Sequence, residues 1–74
     1  MTVVQLRKTL QASPFVPFNV RMADGRVFKV PHPDFLSIFP GGRLATVYDT
    51  PNTSSIVDLL LMTELEILTG VPQT

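Results

Sequence analysis

Two runs of alternating apolar and polar residues, FNVRM and RVFKV, constrain the fold of this chain more than any other feature. They cover residues 18–22 and 26–30 and lie on either side of Asp24-Gly25. Alternation with period two is typical of strands that bury one face, and an Asp-Gly pair between two such runs predicts a β-hairpin. Glycine adopts the left-handed conformation without steric cost, so we expect Gly25 to take it in the turn.

The apolar pattern also selects the register of this hairpin, because directly opposite residues share a face of the sheet. A two-residue loop would place Val20 opposite Lys29 and mix the two faces. A three-residue loop places Val20 opposite Phe28 and Phe18 opposite Val30, so that apolar residues meet apolar residues. We therefore predict the three-residue loop.

The remaining elements follow from capping, proline and turn signals. Thr2 and Gln5 form a capping-box pair at the start of an amphipathic stretch. The run PNTSS, residues 51–55, is typical of a turn, and the junction LLMTELEI fits a single helical turn between the last two strands. We predict a helix over about residues 3–11 and strands over about residues 17–22, 26–31, 43–49, 55–61 and 64–68.

The length of the chain bounds the size of its core. Seventy-four residues form a single domain, residues 1–74, near the lower limit for folding on a hydrophobic core alone. The chain has no cysteine, so disulfides cannot add stability. Oligomerisation is the remaining common source of buried surface, and we expect a homo-oligomer.

The run SIVDLLL indicates where such a contact lies. Val57 and Leu59 fall on one face of the predicted strand, and Ile56, Asp58 and Leu60 fall on the other. Both faces are largely apolar, and a domain this small has few places to bury the second one. We therefore predict a subunit contact at Ile56, Asp58 and Leu60.

A helix followed by five short strands with tight turns predicts a mainly β fold. Five strands are too few for a sandwich of useful size, because each of its two sheets would be very narrow. A small, strongly bent barrel buries the same residues more economically. We therefore predict a five-stranded SH3/Sm-like barrel preceded by an N-terminal α-helix.

The same order of elements resembles the Sm-like family, including the Hfq-type bacterial RNA chaperones. The resemblance rests on the helix, the PFVPF segment, the Asp-Gly hairpin and the final strand–turn–strand unit. It implies an SH3-like barrel and, as an alternative function, an RNA-binding ring. The chain has no counterpart of the Tyr-Lys-His element with which Hfq-type proteins bind uridine. It is also similar to small uncharacterised bacterial proteins with a PFxPF…DGRxFxVxHPDFL pattern, which imply no activity.

The segment VPHPDFL contains the only histidine of the chain. His32, Asp34 and Ser37 could serve as a base, an orienting carboxylate and a nucleophile, but a triad needs a sheltered pocket in which its side chains converge. The alternative is structural, with Asp34 capping a short helical turn after Pro33. We favour the structural interpretation, predict no catalytic residue, and keep His32 as a candidate for surface recognition.

The basic residues provide the other candidate surface. Arg21 and Lys29 share the outward face of the predicted hairpin, and with Arg26 and His32 they form the predicted recognition surface. Six basic residues are balanced by six acidic ones, giving a net charge of zero. Binding to nucleic acid usually requires a basic surplus, so the charge argues against RNA as a partner.

These observations predict a non-enzymatic interaction module that associates with itself. We expect neither cofactor nor metal, because the chain has no cysteine and one histidine. The longest apolar run, Leu59–Met62, is too short to cross a bilayer. The N-terminal sequence has no signal-peptide pattern, so we expect a cytoplasmic protein with no membrane contact.

Overall fold

The computed structural model describes residues 2–69, which form one α-helix and six β-strands. These are α1 (Val3–Leu10), β1 (Phe18–Met22), β2 (Val27–Val30), β3 (Leu36–Ile38), β4 (Leu44–Thr50), β5 (Thr53–Asp58) and β6 (Met62–Ile67). Single 3₁₀ turns at Pro33–Phe35 and Leu59–Leu61 precede β3 and β6. The part of the chain so described has no helix long and apolar enough to cross a membrane.

Helix α1 begins at the predicted cap. The hydroxyl of Thr2 accepts the backbone N–H of Gln5 at 3.2 Å, as a capping box requires. The helix ends at Leu10, one residue earlier than predicted, and Gln11 closes it by donating its N–H to the carbonyl of Arg7. The Leu6 side chain of this helix is completely buried and packs the helix against the core.

The β1–β2 hairpin confirms the predicted register. Val20 lies opposite Phe28 and Phe18 lies opposite Val30, with all four side chains buried. Gly25 closes the three-residue loop at a φ of 93°, within the left-handed region that favours glycine. The predicted register is therefore correct, and the strands expected over residues 17–22 and 26–31 span Phe18–Met22 and Val27–Val30.

The predicted barrel is wrong. Within residues 2–69 the strands form two separate three-stranded antiparallel sheets, in the orders β2-β1-β6 and β3-β4-β5, and no barrel closes. The cause lies in residues 31–38. Pro31 has no N–H to donate, so β2 stops at Val30. The 3₁₀ turn then redirects the chain, and the short strand β3, which the sequence did not predict, begins the second sheet.

The last predicted strand pair also needs correction. The strand expected over residues 55–61 spans Thr53–Asp58, and the strand expected over residues 64–68 spans Met62–Ile67. The expected helical turn between them is the 3₁₀ turn Leu59–Leu61. Asp58 starts this turn, because its Oδ1 accepts the N–H of Leu60 at 2.9 Å.

The core lies between the inner faces of the two sheets, with α1 packed against it. Every strand and the second 3₁₀ turn contribute to it. Its buried side chains are Leu6, Phe18, Val20, Met22, Phe28, Val30, Leu36, Ala45, Val47, Val57, Leu59 and Met62. No polar or charged residue is buried as a whole among residues 2–69, although the side-chain oxygen of Asn19 is buried without a hydrogen-bond partner.

Candidate interaction surface

The outer face of the first sheet carries a network of paired charges centred on Arg21. Its guanidinium lies 3.2 Å from the carboxylate of Glu64 and 3.1 Å from that of Glu66. The amide of Asn19 donates to Glu66 at 2.9 Å. The hydrogen bond from Asn19, and after it the bond from Arg21, hold the pKa of Glu66 below its usual value of 4.5. Arg21 is therefore engaged within the protein.

Arg26, another residue of the predicted recognition surface, closes the hairpin turn. Its Nε lies 2.8 Å from a carboxylate oxygen of Asp24, and its backbone N–H donates to the other oxygen at 3.0 Å. The backbone bond, and after it the guanidinium, lower the pKa of Asp24. The guanidinium also lies 5.3 Å from the centre of the Phe28 ring. Lys29 is exposed on β2, directly opposite Asn19.

His32 acts as a cap in the corner between the sheets. Its Nδ1 accepts the backbone N–H of Asp34 at 3.2 Å and starts the 3₁₀ turn Pro33–Phe35. The prediction that Asp34 caps this turn is therefore wrong, although the turn itself exists. A histidine nitrogen and a carboxylate oxygen can both cap, and Pro33 at the first position of the turn makes His32 the preceding cap residue.

The three residues considered as a triad do not converge. The side chains of His32 and Asp34 are 63% and 90% exposed, with Nδ1 and Oδ2 3.5 Å apart. Ser37 lies on β3 opposite Thr46, and within residues 2–69 it makes no hydrogen bond to His32. The described residues also contain no group of three potential metal ligands.

A shallow cleft adjoins this corner, where the first 3₁₀ turn meets the end of β4. Its volume is about 190 Å³, and it is lined by Asp34, Phe35, Tyr48, Thr50 and Pro51. Sites for small molecules usually enclose about 300–1,000 Å³. The cleft can therefore accommodate a single side chain.

The outer face of the second sheet differs in chemistry from that of the first. Thr46 on the central strand β4 lies in the middle of this face, and Ile56 on the edge strand β5 lies opposite it and is 64% exposed. Leu44 and Tyr48 flank Thr46 along β4 and are 37% and 41% exposed. Diagonal neighbours across a ladder are close enough for such side chains to interact. We call Leu44, Thr46, Tyr48 and Ile56 the uncharged face.

The three residues predicted as a subunit contact lie close together in the chain but differ in their surroundings. Ile56 and Leu60 are exposed, at 64% and 73%. Asp58 is half-buried, caps the second 3₁₀ turn, and lies 3.7 Å from the guanidinium of Arg43. The strand alternation ends at Asp58, so Leu60 belongs to the turn and only Ile56 and Asp58 belong to β5.

Sequence reasoning did not include Leu44 and Tyr48 in the contact. The alternation in RLATVYDT placed them on one face of a strand together with Thr46. The sequence therefore did indicate that Leu44, Thr46 and Tyr48 share one face of the strand. Ala45 and Val47 on the other side are also apolar, so the pattern did not indicate which face is exposed.

Comparison with known proteins supplies no family for this chain. A scan against protein-family models and searches of curated proteins and of solved structures found no significant match.

Proposed function

We propose that this protein is a small interaction module that associates with itself through the uncharged face. The observation that carries the proposal is the 64% exposure of Ile56, on the edge strand of that face. An exposed β-branched residue with exposed Leu44 and Tyr48 diagonally opposite it is typical of an interaction site. The partner that best fits is a second copy, because a domain of this size gains stability from additional burial.

The distribution of charge supports the choice of this surface. The outer face of the first sheet is occupied by the ion pairs of Arg21, Glu64 and Glu66. Burying those charges against another protein would require their desolvation, which is costly. The uncharged face has no such penalty, so association there leaves the charged network in water.

The alternative of an RNA-binding ring has weaker support. Arg21 and Arg26 are paired with carboxylates of the same chain, and phosphates would have to compete with those carboxylates. The net charge of zero provides no long-range attraction to a polyanion. We therefore propose protein–protein association without enzymatic activity.

Light scattering over a range of concentrations tests this proposal. From about 1 to about 500 μM, we expect the mass of the wild-type protein to rise above that of one chain. Ile56→Lys places a charge on the most exposed residue of the uncharged face and should weaken association at least tenfold. A folded wild-type protein that stays monomeric over this whole range would contradict the proposal.

Val27→Lys is the matched control. Val27 is also β-branched, lies on the outer face of β2, and is 41% exposed. A lysine there extends a face that already carries Lys29, so we expect association to be unchanged. Equal weakening by both substitutions would show that added charge, and not the position of Ile56, determines the result.

A further inference from the structure

In the part of the chain that the structure describes, the two sheets have four edge strands, and β5 is the least protected of them. Edge strands usually avoid pairing with other chains by being short or by carrying charges or prolines. Strand β2 carries Lys29 and is followed by Pro31, β6 carries Glu64 and Glu66, and β3 has only three residues. Strand β5 has six residues, and its one charge is Asp58 at the end.

The pairing of β5 with β4 shows which backbone groups its free edge presents. The N–H of Leu59 donates to the carbonyl of Arg43 at 2.8 Å, in the register of the β4–β5 ladder. Hydrogen-bonded pairs alternate with other pairs along an antiparallel ladder. Val57 and Ser55 therefore direct their backbone groups towards β4. The backbone groups of Ser54, Ile56 and Asp58 point away from it, to the free edge.

We infer that two copies of the protein pair through this edge, with β5 antiparallel to β5 of the second copy and Ile56 opposite Ile56. This inference rests on the proposed function and specifies its geometry. A two-fold axis between the two Ile56 residues places Ser54 of each copy opposite Asp58 of the other. The second sheets of the two copies then form one six-stranded sheet, and their uncharged faces lie side by side.

The register is self-complementary in chemistry as well as in geometry. The Ile56 pair brings together two apolar side chains that are each 64% exposed in the single chain. The hydroxyl of Ser54 can donate to the carboxylate of Asp58, which retains acceptor capacity beside its bond to Leu60. The Ile56 pair also exchanges two backbone hydrogen bonds. In the Ser54–Asp58 pairs, the carbonyl of Asp58 already accepts an N–H within the 3₁₀ turn that it caps, and its second lone pair can accept the N–H of Ser54. A two-fold pairing closes at two copies, because each chain has one β5 edge.

Proline at Ser54 distinguishes this edge pairing from packing through the uncharged face alone. Proline is tolerated on an edge strand where its missing N–H faces solvent. We expect Ser54→Pro to keep the urea midpoint of the monomer while weakening the dimer at least tenfold. Ser55→Pro is the matched control, because it removes an N–H that faces β4 and should lower the urea midpoint.

The outcomes separate this inference from the proposed function. A Ser54→Pro protein that dimerises as tightly as the wild type, while Ile56→Lys is monomeric, would overturn edge pairing and leave self-association intact. A wild-type mass above two chains would overturn the two-fold arrangement. A wild-type monomer at all concentrations would overturn both.

Cross-linking provides a second test that does not depend on tolerance of proline. The chain has no cysteine, so Ile56→Cys introduces a single thiol. Opposite residues in a hydrogen-bonded pair have Cα atoms about 5.5 Å apart, within the range that a disulfide spans. With oxidised glutathione, we expect Ile56→Cys to form covalent dimers at least tenfold faster than Val27→Cys. Equal rates would overturn the inferred register.

Discussion

The two sheets of this protein share one core but present opposite chemistry to solvent. On their inner faces both contribute apolar side chains, such as Phe18 and Val47, that are completely buried. On the outside, the middle of the first sheet carries the ion pairs of Arg21, whereas the second sheet carries exposed Ile56 and has its charges, Asp58 and Arg43, at one end. The inner faces form the core, and the difference between the outer faces is the basis for the proposed site of self-association.

The largest expected effect comes from breaking the core that both faces depend on. Phe18 is fully buried on β1, and its ring centre lies 6.0 Å from that of Phe15. Phe18→Ala should cost about 3–5 kcal/mol of unfolding free energy, because it leaves a cavity between the sheets. Urea denaturation measures this loss. Lys29→Ala, on the outer face of the same sheet, should change stability by less than about 0.5 kcal/mol. Comparable losses would contradict the assignment of inner and outer faces.

A second prediction compares the hairpin turns of the two sheets. Gly25 in the first has a φ of 93°, which side chains rarely adopt, although open space surrounds it. Gly25→Ala should therefore cost about 1–2 kcal/mol through backbone strain alone. Gly41, in the turn before β4, also has open space but lacks a positive φ. Gly41→Ala should not destabilise the protein. Thermal unfolding of the two variants tests whether the positive φ of Gly25 causes the loss, and equal losses would contradict that explanation.

The corner that separates the two sheets provides a smaller effect. His32→Ala removes the cap of the 3₁₀ turn and should cost roughly 1 kcal/mol in chemical denaturation. His32→Asn retains a side-chain acceptor and should recover most of that stability. Asp34→Ala leaves the cap in place, so its effect should be smaller. A larger loss from Asp34→Ala than from His32→Ala would show that the carboxylate caps the turn.

The smallest effect concerns the acid sensitivity of the charged outer face. The folded protein holds the pKa of Glu66 below 4.5, so the unfolded chain binds a proton more readily. The resulting stability is present above about pH 4.5 and is lost as the pH falls through the folded pKa. Glu66→Gln should therefore reduce the drop in urea midpoint between pH 7 and about pH 3.

Glu64→Gln serves as the control for this pH effect. It keeps the bonds of Asn19 and Arg21 to Glu66, and so keeps the acid dependence that Glu66 contributes. An unchanged acid response in Glu66→Gln would contradict the assignment of that dependence to this carboxylate.

The sequence predicted correctly those parts of the fold that depend on residues close together in the chain. The Asp24-Gly25 hairpin and its register follow from the parity of apolar residues, and Thr2 determines the start of α1. The barrel prediction failed at the corner after Val30. Strand β3 has three residues, which is too short to show a period among the neighbouring prolines.

The candidate site was also predictable only where it depends on residues close together in the chain. The exposure of Ile56 follows from alternation within one strand. The pairing of Arg21 with Glu64 and Glu66 joins residues more than 40 positions apart, and it depends on the β1–β6 register. No local pattern contains that register. The sequence therefore placed Arg21 on a predicted recognition surface, whereas the structure pairs it with two carboxylates of the same chain.

The central claim is that the uncharged face and the β5 edge mediate self-association while the charged face remains in solvent. Backbone amide chemical shifts, followed by NMR during dilution, test it residue by residue. We predict that the amides of Thr46, Ser54 and Ile56 shift with concentration, and that those of Asn19 and Lys29 do not. Shifts confined to Asn19 and Lys29, or no shift at any residue, would contradict the account.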